Sequence, residues 1–182
     1  MAEKLIRQVG NYRELLSYQK TEVIYEMTFF FCHQFLQHND RTADQMVQAA
    51  RSGKQNIIEG CAASATSSKT EIKLINVAKA SLQELLEDYI DYLRTRGHRQ
   101  WEKDSAEWIA MRRLGKEHND APFFMKLCET RPPETIANMV IILIYQADYL
   151  LFKQLQRLEK DFTEQGGFSE RMMRVRKEKR GF

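Results

Sequence analysis

Proline and glycine are scarce in this chain: three prolines and eight glycines in 182 residues leave few points at which a helix must stop. Cysteine is scarcer in effect. Cys32, Cys61 and Cys128 are odd in number, far apart and free of any C-x-x-C spacing, so neither a disulfide framework nor a zinc site is suggested, and a reducing cytoplasm is expected. Long hydrophobic runs are missing too: the longest, Met139 to Tyr145, falls far short of the ~20 residues that cross a bilayer. The first residues, Met1 to Arg7, lack the apolar core of a signal peptide, so no membrane partner is expected. None of His33, His38, His98 or His118 follows a glutamate by three residues, as a diiron helix pair would require. There is no glycine-rich phosphate loop and no nucleophile elbow. Enzyme, cofactor and metal are therefore all absent from the expectation.

What the chain has is periodicity. Hydrophobic residues make up 43% and charged residues 29%, a globular balance. Over 17–36, Ile24, Met27, Phe31 and Phe35 form one apolar stripe, while Tyr25, Phe29, Cys32 and Leu36 form a second. Two stripes imply burial on two sides, against an interhelix connection or another subunit. A symmetric oligomer is the preferred reading, with Tyr25, Phe29, Cys32 and Leu36 at the subunit contact. Asp40 is a good N-cap for a second helix over 41–60, with Gly60 as its stop and Ala49, Ala50 and Gly53 allowing close approach of a neighbour. Ser68 and Glu71 have capping-box spacing at the start of a third helix that runs to Gly97. Its lysines come early and its acids (Glu84, Glu87, Asp88, Asp91) late, opposing the helix dipole at both ends.

The stretch 98–132 is irregular, with a short helix expected over 106–116, and a fourth long helix runs from Pro133 to Gln165 before Gly166-Gly167. From Gly166 onward, six Lys/Arg face two glutamates; this stretch carries +4 and the rest −1 of the overall +3. The expected architecture is an all-α, antiparallel four-helix bundle over 1–165, with an insertion at 98–132 between the third and fourth long helices and a basic C-terminal tail at 166–182.

The sharpest motif lies in the second helix, Ala49-Ala-Arg-Ser-Gly-Lys-Gln-Asn-Ile-Ile-Glu-Gly60. With Ala78, Ser81, Glu84 and Leu85 on the third helix, it resembles the bacterial four-helix-bundle family of 23S ribosomal RNA intervening-sequence proteins and retroelement accessory variability proteins. The matching positions are Ser52, Asn56, Ile57, Glu59 and Gly60. The stretches 44–48, 85–89 and 166–172 are similar to its "four helix bundle suffix domain" subgroup. The resemblance implies a homo-oligomer, a pentamer in the retroelement relatives, that binds nucleic acid and a reverse transcriptase, with no catalytic residue.

Ser52, Gly53, Asn56, Glu59, Gly60, Ser81 and Glu84 are read as a structural motif, with Glu59 expected to answer backbone N–H groups of the loop or of the third helix. The carboxylates of the third helix are read as a solvated face or an acidic edge for a neighbour's lysines. Nucleic-acid contacts are expected from Arg51, Lys54, Lys69, Lys73 and Lys79, and from Arg171, Arg174, Arg176, Lys177, Lys179 and Arg180 in the tail, with Trp101, Trp108 and Phe182 as stacking faces. The function expected is a non-enzymatic, oligomeric adapter for RNA or DNA that serves a neighbouring enzyme such as a reverse transcriptase. The alternative is a protein–protein scaffold without nucleic acid.

Overall fold

The computed structural model describes residues 10–37 and 40–180, the side chains of residues 165, 168, 171 and 178–180 excepted. Among the described residues every regular element is helical: a 3₁₀ turn at Tyr12–Glu14, then α1 (Leu16–Phe35), α2 (Arg41–Ala63), α3 (Ser68–Thr95), α4 (Ala106–Glu117), α5 (Ala121–Cys128), α6 (Pro133–Gln165) and α7 (Phe168–Arg180). The all-α expectation holds. Of the expected domains, residues 1–9 and 181–182, Phe182 included, lie outside the described residues.

Local chemistry sets most boundaries. Asp40 accepts from the Thr42 N–H (2.9 Å) at the start of α2, and Pro133 occupies the first turn of α6, where a missing N–H costs nothing. Two expected boundaries need correction. The cap of α3 is Ser67, whose Oγ accepts from the Thr70 N–H (3.2 Å), while Ser68 is buried in the first turn. Gly60 does not stop α2, which continues to Ala63. The missing side chain there serves packing, since a Cβ would touch Leu74, Ile75 and the Glu71 carbonyl at 3.5 Å.

Helices α1, α2, α3 and α6 surround one core, α2 packing on α1 and α3, and α6 on α3 and α1. A Cβ at Gly53 would lie 2.9 Å from Leu82 Cδ2, while Gly60 faces 71–75, so α2 and α3 run in opposite directions in close contact. Phe31, Ile57, Leu85 and Tyr89 are fully buried, and the Tyr89 hydroxyl donates to Thr28 Oγ1 (3.1 Å) in the interior. Burial drives the Tyr89 pKa well above its ordinary value.

From Ile136 to Ile144 α6 is buried without interruption. A helix that meets neighbours on only two sides would keep an exposed face. The insertion supplies the missing cover: α4 packs on α6 and α5 on α1. Helix α5, built on Ala-Pro-Phe-Phe-Met-Lys-Leu-Cys and capped by Asp120, lies in the stretch 98–132 expected to be irregular outside 106–116, and Pro122 does not break it. Proline in a first turn starts a helix instead. By length and composition α6 could also cross a membrane, but 61% of its most apolar window is buried inside this fold, the ordinary state of a core helix.

Candidate functional site

The residues expected to act together are divided among several faces. Ser52 Oγ and Ser81 Oγ share a hydrogen bond (2.9 Å), and Asn56 Nδ2 donates back to Ser52 Oγ (3.1 Å) and to its carbonyl (2.8 Å). This network ties α2 to α3, and Glu84 lines the shallow groove beside it. Glu59 departs from the expectation: it is exposed and has no hydrogen-bond partner among the described residues. Ser67 takes the capping role at α3 instead, accepting from the Thr70 N–H.

The cations of α2 and α3 do not converge. Arg51, Lys69 and Lys73 are exposed. The Lys54 ammonium sits 4.4 Å above the Tyr25 ring, between α1 and α2. Lys79 pairs with Asp148 on α6 (2.7 Å), so its charge is already answered. In the tail, Arg174, Arg176 and Lys177 are carried on α7; the side chains of Arg171, Lys179 and Arg180 lie outside the described residues.

The second stripe of α1 splits. Cys32 is 4% exposed and belongs to the core, which corrects its assignment to a subunit contact. Helix α1 meets α2, α5 and α6, so burial extends around three sides of it and reaches Cys32. Burial, then Asp88, Asp40 and Asp44, push its thiol up to about 12; burial pushes Cys128 up to about 11. Both stay protonated and inert near neutral pH. Tyr25 and Leu36 are half-buried, whereas Phe29 is 46% exposed and stacked on His33. On α3, Asp88 is pushed up to about 6 by burial first and then by Glu84 and Asp91, and its Oδ2 is buried without a partner among the described residues.

A larger concavity than the groove beside Glu84 lies between α1, α4, α6 and the segment before α4. It is a cleft of ≈ 890 Å³. Two devices shape it. Asn138, 2% exposed on α6, accepts from the Trp101 N–H (2.7 Å) and donates to the carbonyls of Arg99 and Glu134 (2.9 Å each). This fastens the segment at 99–101 to α6 and fixes Trp101. Farther along α6, Gln146 Nε2 donates to the Arg112 carbonyl (2.8 Å) and its amide lies against Gly115. A Cβ at Gly115 would collide with that amide, so a side chain there would displace Gln146 from its present position.

The walls carry four aromatic rings: Trp101, Trp108, Tyr145 and Tyr149. Trp108 and Tyr145 meet at 5.7 Å between centroids, and the Trp108 Nε1 is buried without a partner among the described residues. Four cations join them, Lys20, Lys103, Arg112 and Lys116, and no described carboxylate lines the cleft. In a chain with 28 basic and 25 acidic residues, that is a strong local bias.

Lys20 is the unusual member. It is 1% exposed and donates to the carbonyls of Gly115 and His118 (3.1 Å to the latter), at the C-terminal end of α4. The negative end of the helix dipole partly compensates its charge. No carboxylate is within ion-pair distance among the described residues, and burial lowers its pKa from the ordinary 10.5 to about 8. An aromatic, cation-lined cleft of this size suits a flat, anionic ligand: rings stack on the aromatic walls, and phosphate oxygens meet the cations. Of the lining residues, Trp101 and Trp108 stand among the aromatic faces singled out in the sequence; Lys20, Lys103, Arg112, Lys116, Tyr145 and Tyr149 do not. Compared with protein-family models, curated proteins and solved structures, the chain matches none of them.

Proposed function

We propose that this chain is a non-enzymatic adapter that binds single-stranded nucleic acid, with the cleft between α1, α4 and α6 as its contact. The observation that carries this reading is the cleft lining, four aromatic rings and four cations without a described carboxylate. A base stacked on an aromatic side chain contributes ~1–3 kcal/mol, and each neutralised phosphate of a single strand adds about 0.7 to the log–log salt slope. Three of the cleft cations (Lys103, Arg112, Lys116) are exposed, enough for a slope of about −2 from the cleft alone. The cations of α7 add to it.

The scaffold is read as an antiparallel four-helix bundle made of α1, α2, α3 and α6, in a cytoplasmic protein. Self-association, a pentamer by the resemblance described above, is supported by the Phe29 face of α1, and a reverse transcriptase is the partner the resemblance implies. Titration of fluorescently labelled single-stranded DNA and RNA at several salt concentrations tests the proposal. Binding that weakens with salt, and that the double charge reversal Arg112→Glu, Lys116→Glu reduces at least tenfold, is the expected result. Indifference to the polymer at low salt would leave the protein–protein scaffold as the better reading.

A further inference from the structure

The cleft does not end at its rim. Tyr145, Tyr149 and Phe152 occupy positions i, i+4 and i+7 of α6 and form one exposed stripe, at 43%, 59% and 46% exposure. Exposed aromatics in such a row are costly to leave in water, and the core has no use for them. At a rise of 1.5 Å per residue, successive rings are about 6 and about 4.5 Å apart along the axis, comparable to one nucleotide step of an extended strand. Lys153 Nζ lies 5.8 Å from the Tyr149 ring; Lys79 Nζ lies 5.7 Å from the Phe152 ring but is held by Asp148 (2.7 Å). The stripe thus continues the chemistry of the cleft.

We infer that α6 is a stacking track: a single strand seated in the cleft continues along Tyr149 and Phe152 towards α7, one base to each ring. This rests on the reading of the cleft as a nucleic-acid site and adds to it a path, a direction and a site length of about four nucleotides. Aromatic stacking reads no sequence, so the track takes RNA and DNA alike. A second copy of this chain is the competing occupant of the same stripe. Lys153 beside Tyr149 and the continuity with the cleft favour the strand.

Quenching of tryptophan fluorescence by oligothymidylates and oligouridylates of one, two, four and six nucleotides tests the track on the full chain. Affinity should rise with length up to about four nucleotides and then level off. Phe152→Ala should weaken binding of the hexamer about tenfold while leaving the dimer unchanged. Phe152→Leu, which keeps apolar bulk and helix but removes the ring, should behave alike and guards against a folding defect. If dimer and hexamer bind the wild type equally, the track is refuted and the cleft reading stands. If neither binds, both readings fall together. If the Phe152 variants change the mass in light scattering and leave hexamer binding intact, the stripe is a subunit contact and the track is overturned.

Discussion

Replacing Lys20 with methionine keeps most of the side-chain stem and removes the ammonium from the floor of the cleft. A pKa drawn from 10.5 to about 8 means that the folded state sheds this proton more readily than the unfolded chain does. Between those values the unfolded state binds more protons, so stability rises with pH. The gain is complete above 10.5 and is lost as pH falls through about 8. At 1.36 kcal/mol per tenfold change the full effect is roughly 3 kcal/mol, of which roughly 2 kcal/mol falls between pH 7 and 10. Methionine does not titrate. At pH 7 the substitution costs ~1–3 kcal/mol, because the carbonyls of Gly115 and His118 lose a charged donor. The raised thiol pKa values of Cys32 and Cys128 pull stability the other way above pH 9, but they do so in both proteins and cancel in the difference. Urea unfolding of wild type and Lys20→Met at pH 7, 8, 9 and 10 checks this, with the slope m held common. The wild-type advantage should grow by about 2 kcal/mol across that range. A constant difference, or one that shrinks with pH, would refute the buried-charge account of Lys20.

Gly53→Leu should lower the melting temperature, because even a Cβ meets Leu82 at 2.9 Å and the larger side chain overpacks the α2–α3 seam at a cost of roughly 1–3 kcal/mol; an unchanged melting curve would contradict the close crossing. Phe29→Asp should shift the light-scattering mass down towards the 21.5 kDa of one chain, and a wild type already at that mass would end the self-association reading. Truncation after Gly166 removes the +4 stretch, with an expected loss of more than tenfold in polynucleotide affinity at low salt and nearly unchanged helical circular dichroism per residue. Equal binding by the truncated chain would place all phosphate contacts outside α7. Asn138→Leu leaves the Trp101 N–H and the Arg99 carbonyl unpaired, so the segment at 99–101 should gain hydrogen exchange; unchanged protection there would show that Asn138 does not hold it.

Helix positions were legible because a 3.6-residue apolar period is a local signal: the buried residues Ile24, Met27 and Phe31 of α1, or Leu82, Leu85 and Tyr89 of α3, declare their face without reference to anything distant. Asp40 and Pro133 marked helix starts for the same reason, since caps act within one turn. Errors fell where a local signal has two meanings. Gly60 reads equally as a stop or as a contact surface, and Pro122 as a breaker or as a first-turn residue; only the neighbouring helix decides.

By itself, then, the chain's pattern determined that this protein is all helical, where its four long helices run, and that its net positive charge is concentrated at the C-terminal end. The tertiary structure alone decided which polar residues meet. Lys20 joins Gly115 and His118 across more than ninety positions, and Asn138 holds Trp101 across 37. The cleft is assembled from α1, α4, α6 and the segment before α4, none of which carries the site alone. Periodicity records how each helix meets the core, an average property of a face. A binding cleft depends on the relative placement of a few side chains from distant segments, and that placement is set by packing, which no local pattern encodes.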